Sequence, residues 1–147
     1  MKILKAIREG VLAIVIYNAK ILLVKQALDN YWGFPKGGIE SHETNLESLI
    51  RELQEEVGIE SFRKVISLNH SHNYVIPKEK WGNSGAKSKK YQVFVVVADS
   101  DKIKLNHELS DFKWVLINDL ELTLKMPDLI KLVQDIKPKL NEFFYEI

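Results

Sequence analysis

Gly37-Gly-Ile-Glu-Ser-His-Glu43-Thr-Asn-Leu-Glu-Ser-Leu-Ile-Arg51-Glu52-Leu53-Gln-Glu55-Glu56-Val-Gly58-Ile59 is the stretch that decides the reading of this 147-residue chain. Paired glycines lead into a run of helix formers, and a third glycine stops it. Thr44 and Glu47 make a capping box, which puts a helix start at Thr44. Gly58 suits the place just past the last turn, where a left-handed residue is wanted. The spacing predicts a helix over 44–57. At about 100° per residue, Glu52, Glu55 and Glu56 fall on one side within an arc of roughly 100°. Leu46, Leu49, Ile50, Leu53 and Val57 occupy the opposite side. One face can dock on a core while the other gathers negative charge. Like charges at i,i+4 destabilise a plain surface helix. A cation reverses that sign, and ligands that are all oxygen favour a hard one, Mg²⁺ or Mn²⁺.

The length fits one domain spanning 1–147 with one core. Hydrophobic residues at 46% and charged residues at 28% are ordinary for a soluble globular chain, and the formal charge of +1 selects no partner. With no cysteine there is no disulfide framework, thiol nucleophile or zinc–thiolate site. Charges interrupt the first ten residues, and the apolar run Val11–Tyr17 is too short to cross a bilayer. The expectation is a cytoplasmic protein with no membrane partner.

Outward from the glycine–glutamate stretch, Val11–Tyr17 reads as a buried strand. Asn18-Ala19 offers a turn, and Ile21–Lys25 reads as its hairpin partner. Glycines and a proline between Tyr31 and Gly38 exclude regular structure there, so that segment is expected to be a loop. Arg63–His70 alternates loosely and extends through Tyr74–Ile76. Pro77–Lys90 reads as a loop, with Asn83 and Ser84 among its pattern breakers. It carries Lys78, Lys80, Lys87, Lys89 and Lys90 against the single acid Glu79. Tyr91–Ala98 and Phe112–Ile117 are further strands, with Phe94 and Trp114 expected in the core. Asn118-Asp119 can cap a short helical turn. Pro127 opens a closing amphipathic helix, which Pro138 is expected to end or kink before Leu140–Phe144. Strands flanked by amphipathic helices make an α/β or α+β fold. His70 and His72 alternate on a strand, but no third ligand of matching type stands near them.

The spacing Gly37-x5-Glu43-x7-Arg51-Glu52-Leu53-x-Glu55-Glu56-x-Gly58-Ile59 resembles the box of the Nudix hydrolases, with every fixed position filled. The resemblance implies a Nudix-type α/β/α sandwich, a mixed sheet between helices. It implies that Glu52, Glu55 and Glu56 are metal ligands, that the Lys36 carbonyl is another, and that Glu43 and Arg51 support the loop and helix. It also implies hydrolysis of a phosphoanhydride bond, in which Mg²⁺ neutralises phosphate oxygens and activates water. Glu108, six residues before Trp114, resembles the distal glutamate of RNA 5′-pyrophosphohydrolases and dinucleoside polyphosphate hydrolases, a ligand or general base. Glu52 is the alternative base.

Substrate signals lie outside the box. Trp32-Gly-Phe-Pro-Lys-Gly-Gly-Ile-Glu40 is similar to the box entry of diadenosine polyphosphate hydrolases. In that group a lysine at the position of Lys90 meets phosphates and a tyrosine near Tyr74 stacks on adenine. A basic loop complements a long polyphosphate. Arg8 resembles a phosphate-binding arginine of the RNA pyrophosphohydrolase branch, although five lysines in one loop make no RNA-binding surface. The expected substrate is therefore a small nucleotide, a dinucleoside polyphosphate such as diadenosine tetraphosphate. The alternatives are the RNA 5′ end and a nucleoside triphosphate. In another class stands a Nudix-fold nucleotide-binding module without catalysis, which the intact glutamate set argues against.

Overall fold

A computed structural model describes residues 7–82 and 85–144. Asn83 and Ser84 of the lysine-rich loop lie outside the described residues. Among the described residues seven strands form one sheet. They are β1 (Ile7–Tyr17), β2 (Lys20–Gln26), β3 (Trp32–Gly33), β4 (Lys36–Gly38), β5 (Phe62–Val75), β6 (Ser88–Ala98) and β7 (Leu109–Leu116). Three α-helices accompany them among the same residues: α1 (Asn45–Val57), α2 (Leu120–Leu124) and α3 (Pro127–Phe144). The main strand order is β3-β2-β1-β6-β5, with β4 also pairing with β1 and β7 with β2. The β1–β6 pair is parallel and the others are antiparallel, so the sheet is mixed. The fold is α+β, with a mixed sheet between helices.

Alternation along β1 and β6 explains the layers. Leu12, Ile14 and Ile16 of β1, with Tyr91, Val93 and Val95 of β6, pack into one cluster with Leu120, Leu132, Ile136 and Leu140 of α2 and α3. Val11, Ala13 and Val15, with Phe94 and Val96, pack into a second cluster with Leu49, Leu53 and Val57 of α1. Successive side chains of a strand point to opposite faces, and here both faces are apolar because both are covered. Asn18 and Ala19 both take positive φ, 51° and 62°, which is the two-residue hairpin turn that matches strand twist.

Four expectations need correction. The stretch before α1 is not wholly irregular: β3 and β4 lie within it, and β4 pairs with β1 from Gly10↔Gly38 to Leu12↔Lys36. Second, β6 begins at Ser88, so Lys89 and Lys90 are strand residues rather than loop residues. Third, Pro138 does not end the last helix, which runs unbroken to Phe144. A proline inside a helix costs about 3 kcal/mol. Burial of Leu140, packing of Phe143 and the bond from Lys139 Nζ to Leu68 O (2.9 Å) offset that cost. Fourth, Trp114 is half-buried at the rim of the α1-side cluster, where its Nε1 donates to Asp101 O at 3.2 Å. Phe94 is buried as expected.

Candidate active site

Helix α1 is set by its ends. Thr44 Oγ1 accepts from the Glu47 N–H at 3.1 Å, and the Glu47 carboxylate accepts from the Thr44 N–H at 3.0 Å. At the other end Gly58 adopts φ 71°, and its N–H and that of Ile59 reach back to Gln54 O and Leu53 O. Leu49, Leu53 and Val57 are sealed against the sheet, which turns Glu52 and Glu56 toward the strand β4, while Glu55 stays exposed and pairs with Arg51.

Arg51 organises the glutamates. Its guanidinium makes a forked pair with Glu43 (2.8 and 2.9 Å) and also donates to Gly38 O, Glu52 and Glu55. Such forked pairs combine charge with fixed geometry. Ser48, fully buried, donates from Oγ to the same Gly38 carbonyl at 3.2 Å. Glu43 also accepts from the Glu40 N–H, and its carboxyl is held at about 2, chiefly by the Arg51 hydrogen bond. The loop between β4 and α1 is thereby fastened to the helix. Glu52 lies directly against Gly37, where a Cβ would collide with its carboxyl. Gly38 has open space at the same point. The two glycines thus have different reasons to be there, and neither has a positive φ.

Glu56 is buried, at 6% exposure. Burial first, then repulsion from Glu52 and Glu108, raises its carboxyl to about 8, opposed by a hydrogen bond from the Lys36 N–H. Glu52 is raised as well, by burial, while Arg51 pulls the other way and Glu55 and Glu108 add to the rise. Glu108, far away in sequence, is brought into this field by the chain before β7. Lys104 N–H and Asn106 N–H cap the α1 carbonyls of Val57 and Glu56 at 3.0 and 3.1 Å, and Asn106 Oδ1 accepts from the Glu108 N–H. The Glu108 carbonyl receives the Ala27 N–H.

This donor set fits a divalent ion. Buried carboxylates that repel one another are stabilised by a positive charge, and hard oxygen ligands suit Mg²⁺. Among the described residues no group of three or more histidine, aspartate or glutamate side chains is placed to hold a metal ion. Mg²⁺ needs none, since it keeps waters and is shared with substrate phosphates. His72 is not part of the set. It is buried, with Nε2 at 3.2 Å from Asp128 Oδ2, so it ties β5 to the start of α3, and its neighbour His70 is half-buried.

On the α3 side of the sheet lies a polar cavity of about 570 Å³, lined in part by Arg8, Tyr31, Lys36, Tyr74, Lys89 and Tyr91. Lys36 Nζ bonds to the Tyr31 hydroxyl at 3.0 Å and stands over the rings of Tyr31, Tyr74 and Tyr91 at 5.4–5.9 Å. Burial lowers its pKa, against the pull of Asp128 and Glu56. Strand alternation puts Lys89 on this face with Arg8 and Tyr74. Lys90 takes the other face with Glu9. Sequence reasoning did not single out Tyr31 and Tyr91, and Lys89 entered it only as one of five loop lysines. Lys89 was within reach of it, being two residues before Tyr91 on one strand face. Gly10 was also missed, and a Cβ there would press on Gly37 O and the Tyr91 ring at 2.5 and 2.8 Å.

The family model described as NUDIX domain matches residues 6–136. An RNA pyrophosphohydrolase of Orientia tsutsugamushi (strain Boryong) is 31% identical over 124 residues, covering 77% of each chain. One from Pelagibacter ubique (strain HTCC1062) is 27% identical over 150 residues and 92% of each. The structure of a C. elegans Ap4A hydrolase binary complex superposes with a TM-score of 0.68 at 19% identity, covering 90% of this chain and 98% of that one. With the box, the mixed sheet and the carboxylate helix in agreement, the chain belongs to the Nudix family and is a pyrophosphohydrolase of that family.

Proposed function

We propose that the protein hydrolyses a phosphoanhydride bond of a dinucleoside polyphosphate, with Mg²⁺ held by Glu52, Glu55, Glu56, Glu108 and the Lys36 carbonyl. The observation that carries this reading is the Lys36 ammonium framed by three tyrosines. It shares its cavity with Arg8 and Lys89, beside the carboxylate helix. Rings accept a base by stacking, and the cations accept phosphates. Mn²⁺ has the same oxygen preference and is a second candidate ion.

When bound, the ion neutralises phosphate charge and acidifies water. The protein's own part is positional. Arg51 and Gly37 fix Glu52, the Lys36 N–H fixes Glu56, and Arg8, Lys36 and Lys89 draw the phosphate chain to them. The oxygen of water bonds to one phosphorus while the bridging oxygen leaves with the other phosphate. Glu108 takes a proton from that water in this reading, because Glu52 is fixed by Arg51 and by Gly37. Lys90 and Tyr74 complete the substrate contacts, Tyr74 against the base.

The relatives named RNA pyrophosphohydrolase favour a second reading, the triphosphorylated 5′ end of RNA. Comparing kcat/KM for diadenosine tetraphosphate, nucleoside triphosphates and 5′-triphosphorylated RNA decides between them. The dinucleoside should lead, and a lead for RNA would replace the first reading by the second. In the same assay Glu56→Gln should lower kcat on the order of 10²-fold or more with the fold retained. Undiminished turnover would defeat the metal role of Glu56, whereas no turnover of any of the three substrates by the wild type would revive the binding-module alternative.

A further inference from the structure

Two cavities open at one end of the sheet, and they share a wall. Beside the tyrosine cavity lies a second one of about 840 Å³, and Arg8, Lys89 and Tyr91 line both. Strand β4 forms the rest of the partition. Lys36 lines the first cavity and Gly38 the second. Between them sits Gly37, the residue pressed against the Glu52 carboxyl. The four candidate ligands Glu52, Glu55, Glu56 and Glu108 line neither cavity, but Glu52 touches the partition between them. A phosphate chain crossing that partition would have one arm in each cavity and its middle nearest the carboxylates. Adjacent lysines of β6 reinforce the division. Lys89 lines both cavities and Lys90 only the second.

We propose that the second cavity holds the second nucleoside of a two-ended substrate, while the first nucleoside occupies the tyrosine cavity. This rests on the dinucleoside polyphosphate reading above. The chemistry of the walls selects a nucleoside over further phosphates. Ile7 and Ile39 offer apolar surface, and Ser41 and Asn45 offer neutral polar groups. Glu9, Glu40 and Glu43 also line the space. Arg51 neutralises Glu43. The cations Arg8 and Lys89 lie in the shared wall, where the phosphate chain would cross, and Glu9 and Glu40 offset Lys90 on the rest of the lining. Both volumes fall within the roughly 300–1,000 Å³ usual for small-molecule sites.

The test fills the second cavity and leaves the first alone. Ser41 is exposed on the turn before α1, so Ser41→Trp should fold. Adenosine 5′-tetraphosphate has the same phosphate chain as diadenosine tetraphosphate but only one nucleoside. Ser41→Trp should lower kcat/KM for the dinucleoside about tenfold and for the truncated substrate less than about twofold. Leu122→Trp, on the exposed side of α2 and lining neither cavity, should match the wild type on both. Equal loss on both substrates, or no loss on the dinucleoside, would overturn the second-arm site while leaving the substrate reading intact. A wild-type protein with no preference for the dinucleoside over the truncated substrate would overturn both together.

Discussion

Glu56 is a carboxyl kept out of water beside two other acids, and that sets a pH dependence. In the metal-free fold it titrates near 8, against 4.5 for a free glutamate. Between those values the native state holds a proton that the unfolded chain has released, so stability falls as pH rises through the window. Glu56→Gln removes the titration. In EDTA the variant should melt several degrees above the wild type at pH 8, at about 2–4 °C per kcal/mol for a chain of this size. The gap should shrink toward pH 5. An equal gap at both values would refute the raised carboxyl. The neighbouring glycines give a second contrast at this scale. Gly37→Ala forces the Glu52 carboxylate off the strand, whereas Gly38→Ala enters open space. The first should lose about tenfold or more in kcat and the second little. Steady-state kinetics that rank them equal would remove the positional role of Gly37. Both roles lie in contacts across the fold, which a pair of adjacent glycines in a sequence does not reveal.

At the scale of elements, α1 was legible because its signals are local. Capping box, glutamate spacing and terminal glycine act within 44–58 and reappear as bonds, and the apolar stripe reappears as buried Leu49, Leu53 and Val57, with Leu46 left exposed in the first turn. The elements misread are those decided by distant partners. Lys36–Gly38 becomes a strand because β1 offers a backbone edge, and Lys89–Lys90 join β6 because β1 and β5 pair with them from either side. Pro138 continues α3 because the helix beyond it is anchored to the sheet. Its own side chain is exposed, so only the backbone penalty remains at that position. Pro138→Ala should therefore restore a helical hydrogen bond and raise stability by about 1–2 kcal/mol, less than the full penalty because the unfolded chain also gains freedom. Urea denaturation would check this, and a lower midpoint for the variant would show that proline fits the helix better than its chemistry suggests.

For the molecule as a whole, the tyrosine cavity assembles residues from positions 8, 31, 36, 74, 89 and 91, drawn from four strands and the loop before β3. No local spacing announces such a set, which is why the carboxylate helix was readable in the sequence and the cavity lining was only partly so. The arrangement separates charge. Cations cluster around the tyrosine cavity, and carboxylates cluster where α1, β4 and the chain before β7 meet. Glu52 and Glu56 repel one another where burial raises both, so under the proposed metal role an ion bound there would also stabilise the fold. For an ion binding only the native state, the gain is about 2.7 kcal/mol at a concentration 100 times Kd. In thermal melts at pH 8, Mg²⁺ should raise the wild-type Tm by several degrees, and K⁺ at equal ionic strength should not. Glu52→Gln and Glu56→Gln should each blunt the response, since each removes both a ligand and part of the repulsion the ion relieves. A rise of the same size with K⁺, or in both variants, would mean that salt screening stabilises the fold and that the carboxylate helix does not hold the ion.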